Sequence, residues 1–318
     1  MMGPTWLVED LLRVEDLLLT TAGGSRHPLV AEAASHLMKA GGKRLRPALV
    51  LLSSHVGESG GPATDLAAAA VELIHLASLY HDDVMDETDT RRGVPTVHSK
   101  WGIDVAVLAG DYLFAQGCLL GAAAGGEIPA ILSQGLAEVC EGQIAEDQAI
   151  GDASRSVAQY LETIKLKTAA LFRAACDMGA CTAGAGPSQR AALAAYGASL
   201  GIVFQVIDDL LDLIGDEEII GKPPGTDLKE GIFTLPVLIG CERDPEIRAL
   251  LAGGERALDV VLPRLEAAGA VSEAFRMAEA EGRAARRALA SLEATGDWVD
   301  ALDTIVSGVM AQAAPARD

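Results

Sequence analysis

Leu73-Ile74-His75-Leu76-Ala77-Ser78-Leu79-Tyr80-His81-Asp82-Asp83-Val84-Met85-Asp86 is an apolar run that ends abruptly in carboxylates. The pattern D-D-x-x-D returns at Asp208-Asp209-Leu210-Leu211-Asp212, after Gly201-Ile202-Val203-Phe204-Gln205-Val206-Ile207. Residues four apart share one face of a helix, so Asp82 lies with Asp86 and Asp208 with Asp212. Carboxylates crowded beside apolar surface are costly unless a cation compensates them. Hard cations such as Mg²⁺ take oxygen ligands, keep several waters and are usually shared with substrate phosphates. Two such faces opposed across a helical bundle predict a metal clamp for a diphosphate. A single copy in an acidic protein would read as a solvated helix end. Two copies, each interrupting an apolar helix with basic residues nearby, favour a site.

Around these two runs the apolar residues recur at three and four, and strand signals are almost absent. The pattern predicts helices over about 6–20, 28–40, 43–57, 62–86, 102–122, 128–149, 154–180, 187–214, 232–240, 244–252, 254–268, 270–293 and 296–312. Glycine pairs and Gly/Pro clusters separate them, and no long polar linker divides the chain. One all-α domain, a helical bundle spanning 1–318 with a frayed tail at 311–318, is the expected architecture. Two polar connections, 87–100 and 215–231, flank the acidic clusters and are expected to be mobile lids.

Of the 318 residues, 50% are hydrophobic and only 4% aromatic, so the expected core is aliphatic. The net charge of -20 argues against nucleic acid and against an anionic membrane surface. Positive charge for a diphosphate must therefore be local. The cysteines are five in number without C-x-x-C spacing, as expected for reduced residues of a cytoplasmic protein. The N-terminus reads as neither a signal nor a transit peptide. No uncharged apolar run of 18 residues occurs, and no stable membrane insertion is expected.

The local charge is found in Gly41-Gly42-Lys43-Arg44-Leu45-Arg46-Pro47, where paired glycines end one helix and cationic residues open the next. Its order along the chain is informative: G-G-K-R-L-R-P, L-I-H-L-A-S-L-Y-H-D-D-V-M-D, then Arg91-Arg92-Gly93, Lys167-Thr168, F-Q-V-I-D-D-L-L-D, and G-K-P-P-G-T-D-L. From 41 to 236 the chain resembles the trans-isoprenyl diphosphate synthases, the polyprenyl synthetase family. That resemblance implies the isoprenoid synthase fold, with a cavity between helices and usually a homodimer. It implies Mg²⁺-dependent head-to-tail (1'-4) condensation of isopentenyl diphosphate with an allylic diphosphate.

Carried over by position, the resemblance implies Mg²⁺ ligands at Asp82, Asp86 and Asp208, with Asp212 acting through water. Asp83 and Asp209 support the site. Lys43, Arg46, His75 and Arg92 resemble the isopentenyl diphosphate site; Arg91, Lys167 and Lys222 resemble the allylic diphosphate contacts. Thr168 and Gln205 face the reacting region, and Gln143 and Glu146 resemble a further polar helix face. Where many relatives place a lysine after D-L-x-E-G, this chain has Ile232, so either Lys229 substitutes or one cation fewer serves.

Product length follows from the helix that carries Asp82. Small residues at Ala77 and Ser78 leave room where short-chain relatives often place Phe or Tyr, and Tyr80 lies on a different face. Leu113, Phe114 or Gly117 could supply a floor further down. The expected product is C30 or longer, of quinone side-chain type; the alternative is a short-chain farnesyl or geranylgeranyl diphosphate synthase. A class I terpene cyclase would replace the second D-D-x-x-D, and a non-catalytic synthase subunit would lose the aspartates, so both are lesser readings.

Overall fold

The computed structural model describes residues 4–57, 61–215 and 223–313. The described chain is all-α apart from one two-residue hairpin, and it is organised as two compact units.

The first unit comprises Met1–Leu136, Leu171–Ala194 and Ala294–Leu302. It contains α1 (Thr5–Gly23), α2 (Pro28–Ala34), α3 (His36–Lys39), α4 (Leu45–Ser53), α5 (Pro62–Met85), α6 (Val97–Trp101) and α7 (Ile103–Ala124). The start of α8 (Ile128–Asp147) also belongs to it. α5 opens with Pro62 at its first turn, where the missing N–H costs nothing, and Ala67 to Ile74 are buried around the whole circumference. Each large aliphatic side chain removed from water, such as Leu73, Ile74 or Leu76, contributes about 1.5–3 kcal/mol. α7 buries a stripe of mostly small residues, Ala106, Ala109, Gly110, Leu113, Gly117 and Gly121, and meets α5 at Gly110 and Gly117. The spacing works because the glycines admit neighbours closely. A Cβ on Gly110 would fall 2.3 Å from His81 Nε2, and one on Gly117 would fall 3.0 Å from Ile74.

The second unit comprises Ala137–Ala170, Ala195–Glu293 and Asp303–Asp318. It holds the end of α8 and α9 (Val157–Ile164), followed by a π-helical turn at Lys165–Ala169 that leads into α10 (Ala170–Thr182). It also holds the second half of α11 (Pro187–Ile214), then α12 (Thr226–Glu230), α13 (Leu235–Arg243), α14 (Pro245–Ala252), α15 (Leu258–Ala267) and α16 (Ala270–Ala290). α17 (Asp297–Ala311) ends there. α16 buries Ala270, Ala274, Phe275, Ala278, Gly282, Ala285 and Leu289, a three-and-four spacing that lays one apolar stripe on the unit.

Several expectations need correction. The single helix predicted over 154–180 starts at Val157, fixed by a capping box in which Ser156 and Gln159 satisfy each other's backbone N–H, and it widens into the π turn. The connection 87–100 is ordered. It holds the hairpin β1 (Thr90–Arg91) and β2 (Val94–Pro95), then α6. Arg92 and Gly93 form its two-residue loop, both with positive φ (53° and 76°), as a type I′ turn requires. The tail does not fray from Ala311: Ala313 is fully buried, and 314–318 lie outside the described residues. By length and composition α5, α7 and α11 are long and apolar enough to cross a membrane, although none contains an uncharged run of 18 residues. α5 is the most enclosed of the three, with 67% of its apolar window buried, and α7 the least, with 33%.

Candidate active site

In the first unit the G-G-K-R-L-R-P loop, α5 and the hairpin bring four arginines around one histidine. Burial holds the His75 imidazole well below its ordinary range, and Arg46, Arg92, Arg91 and Arg44 each push it further down. His75 is therefore a neutral donor–acceptor inside a positive cluster, a setting suited to an anion. Arg46 stacks its guanidinium 4.8 Å from the Phe172 ring centre. Its buried Nε makes no hydrogen bond. Burial, with Arg92 adding to it, lowers Arg46 to about 10. A charged donor left unsatisfied in the interior is expensive, and a phosphate oxygen would satisfy it. Arg92 donates to the carbonyls of Leu37 and Gly41, which pins the hairpin to α3 and the glycine loop. His36 adds a 2.8 Å contact to the Pro95 carbonyl. The expected mobile lid is thus a tethered hairpin in this unit. Lys43 stands exposed at the edge of the same loop.

Asp82 is half-buried and Asp86, at the C-terminal end of α5, is exposed, so both carboxylates are accessible. Asp83 points the other way. It is 1% exposed and accepts a 2.5 Å charged hydrogen bond from Arg91 Nε, while burial outweighs that bond and raises its pKa. Asp83 therefore acts as the anchor of Arg91, in keeping with its expected supporting role. Tyr80 is likewise a strut: its hydroxyl donates to the Ala33 carbonyl at 2.8 Å and accepts from Leu37 N. Ala77 and Leu113 are fully buried, Ser78 donates to the His75 carbonyl, and Phe114 packs against the His81 ring.

The second unit repeats the division of labour. Asp208 is exposed, whereas Asp209 is 2% exposed and ends a hydrogen-bonded chain. Thr168 Oγ1 donates to Gln205 Oε1 at 2.7 Å, Gln205 Nε2 donates to Asp209 Oδ1 at 2.9 Å, and the Tyr160 hydroxyl donates to Asp209 Oδ2. Burial pushes the Asp209 carboxyl up to about 8 despite the donations from Tyr160 and Gln205. Arg155 covers the Tyr160 ring and donates to the Thr163 hydroxyl. Lys167, on the π turn, pairs with Glu146, and Gln143 donates to Asp147 at 2.9 Å. Gly142 and Gly201 allow α8 and α11 to press on that turn: a Cβ on Gly142 would lie 2.3 Å from Lys167 N, and one on Gly201 2.5 Å from Ala169 Cα. Asp212 is 4% exposed, and its Oδ2 accepts from Asp227 N at 3.2 Å while its carbonyl accepts from Gly225 N, so it organises the turn into α12. Lys229 is exposed on α12, and Lys222 lies outside the described residues.

Sequence reasoning did not single out Arg44, Tyr160 or Arg155. Arg44 stood inside the quoted loop, but nothing distinguished it from Arg46; Tyr160 and Arg155 carry no local pattern. Among the described residues no group of three or more His, Cys, Asp or Glu side chains is gathered tightly enough to hold a metal alone. Accessible Asp82, Asp86 and Asp208 fit the other mode, in which one or two carboxylates hold Mg²⁺ together with substrate phosphates.

A helical protein with an arginine cluster around a neutral histidine, and two acidic clusters that each keep an accessible aspartate, belongs to the class that handles diphosphate esters. The family model described as polyprenyl synthetase matches residues 27–258, and the chain belongs to that family. The expectation of a prenyltransferase drawn from its motifs stands. The chain is 40% identical over 246 residues to a nonaprenyl diphosphate synthase of Mycobacterium tuberculosis, covering 76% of this chain and 73% of the relative. It is also 40% identical over 290 residues to a short chain isoprenyl diphosphate synthase of Methanothermobacter thermautotrophicus, covering 87% and 89%. A polyprenyl synthase of Caulobacter crescentus, solved with calcium and isoprenyl diphosphate, superposes with a TM-score of 0.88 at 33% identity over 98% of both chains.

Proposed function

We propose that this chain is a Mg²⁺-dependent trans-prenyltransferase that condenses isopentenyl diphosphate head to tail with an allylic diphosphate, giving a product of C30 or longer. The observation that carries this reading is the arginine cluster around neutral His75, with Arg46 Nε unsatisfied. Lys43, Arg46, His75 and Arg92 receive the isopentenyl diphosphate; Arg91, Lys167 and Lys222 receive the allylic diphosphate. Asp82, Asp86 and Asp208 would hold Mg²⁺, with Asp212 in a supporting role. Bound Mg²⁺ supplies Lewis-acid charge at the leaving diphosphate.

The barrier is dominated by negative charge developing as the allylic C–O bond breaks, and fixed cations placed there lower it most. Thr168 and Gln205, locked to Asp209, orient the π turn so that Lys167 meets that charge. The allylic cation is attacked by the double bond of isopentenyl diphosphate, held beside it as an orientation effect. The departing diphosphate takes the proton that restores the alkene.

Equal identity to a short-chain relative favours one second reading, a farnesyl or geranylgeranyl diphosphate synthase. The two are separated by incubating the protein with labelled isopentenyl diphosphate, Mg²⁺ and C5, C10, C15 or C20 primers, then sizing the dephosphorylated products. Products of C30 or more support the main reading, products stopping at C15–C20 support the second, and no elongation refutes both. We take the chain to act as one catalytic domain in the cytoplasm and as a homodimer. Leu108 and Leu119 of α7, 62% and 61% exposed, offer the apolar surface for the second copy.

A further inference from the structure

Arg44 sits between Lys43 and Arg46, the two cations assigned to isopentenyl diphosphate, yet it turns away from solvent. It is 8% exposed, and its backbone is left-handed (φ 48°), a conformation that disfavours a side chain by about 1–2 kcal/mol. All three of its guanidinium nitrogens are engaged. Nε and Nη2 make a two-pronged pair with Glu15 of α1 at 2.6 and 2.8 Å, Nη1 donates to Glu72 Oε1 of α5 at 3.2 Å, and Nη2 also reaches the Met38 carbonyl. Glu72 is 2% exposed and acts electrostatically on both Arg46 and Arg92. Gly42 makes the arrangement possible: a Cβ there would lie 2.9 Å from Nη1 of both Arg44 and Arg92.

Glu72 is a buried carboxylate beside the arginine cluster assigned to a substrate anion. Left alone, it would draw in the nearest guanidinium, and Arg46 Nε has no other hydrogen bond. We propose that Arg44 is a positioning residue whose pairing with Glu15 and Glu72 fixes the loop and occupies Glu72, so that Arg46 and Arg92 remain directed at isopentenyl diphosphate. The inference rests on the assignment of Arg46, His75 and Arg92 to that substrate.

Arg44→Gln, Glu72→Gln and the double variant test it, with KM for isopentenyl diphosphate, KM for the allylic primer and kcat measured for each. Arg44→Gln should raise KM for isopentenyl diphosphate at least tenfold, about 1.4 kcal/mol, with the allylic KM and kcat within about threefold. Removing the competing carboxylate should restore most of that affinity in the double variant, which a merely structural role would not do. Glu15→Gln, at a half-buried position, provides a milder variant should Arg44→Gln fail to fold, and it should shift the same KM in the same direction. Equal loss toward both substrates, a fall in kcat alone, or no rescue by Glu72→Gln overturns the proposal. A parent protein that does not use isopentenyl diphosphate would instead overturn the functional reading beneath it.

Discussion

Gly142→Ala tests whether the π turn positions Lys167. The added Cβ would lie 2.3 Å from Lys167 N, 2.7 Å from Lys167 Cα and 2.9 Å from Leu166 C. All three are backbone atoms, so no rotamer change relieves the clash. Reaching the 3.4 Å of ordinary contact moves α8 and the turn apart by about 1.1 Å. Overpacking of this kind costs about 1–3 kcal/mol, of which the better helix propensity of Ala returns roughly 1 kcal/mol. The net loss, about 0–2 kcal/mol, lowers Tm by only a few degrees for a chain of this size. Misplacing a charge by about 1 Å at a reacting group can cost on the order of 100-fold in rate, so the kinetic effect should dominate. The assay is kcat/KM for the allylic primer at saturating isopentenyl diphosphate, beside thermal melting by circular dichroism. Gly121→Ala is the control, since its Cβ meets only side-chain ends, Leu132 at 3.2 Å and Ile128 at 4.0 Å. Kinetics within about twofold of the parent, or a loss confined to Tm, would refute the reasoning.

Asp82→Ala or Asp208→Ala, like removal of Mg²⁺ with a chelator, should cut turnover by orders of magnitude while the helical circular dichroism spectrum is retained; normal activity in either variant sinks the two-cluster model. Tyr160→Phe removes one of two donors to buried Asp209, a loss of about 1–3 kcal/mol, and should raise the Mg²⁺ concentration for half-maximal rate in a metal titration. An unchanged titration would make Tyr160 only a packing residue. Ala77→Phe places a ring about 7.5 Å along the helix before Asp82, at a fully buried position, and should shorten the product to about C15–C20 when sized by chromatography. Unaltered products would mean that the growing chain does not pass Ala77.

The long helices were legible because their cause is local. α5, α7 and α11 follow from apolar spacing and end at Gly or at the acidic clusters, and the structure places them within two residues of expectation. The π turn at Lys165–Ala169 was not, since it depends on what Gly142 and Gly201 allow from helices distant in sequence. The hairpin carries an Arg at a left-handed position where Asn or Gly is usual, so turn chemistry pointed away from it; its anchors, Leu37, Gly41 and His36, lie more than fifty residues upstream. For the site, the motifs supplied His75, Arg46 and Arg92 as a group, and the structure assembles them. Carried over by position, they also set Asp82 and Asp208 apart from the supporting Asp83 and Asp209, and the structure buries the second pair while leaving the first accessible.

In the hairpin the neighbours Arg91 and Arg92 have opposite employment: one serves Asp83, the other the Leu37 and Gly41 carbonyls. Arg91 closes strand β1 while Arg92 opens the turn with a left-handed backbone (φ 53°), so their roles are set by place in the hairpin rather than by residue type. An insertion or deletion of one residue between Asp89 and Arg91 would leave both arginines in the chain but shift the strand end and the turn that aim them. Length here is therefore as constrained as identity, and natural or laboratory variation should accept substitutions at Thr90 far more readily than any change in spacing.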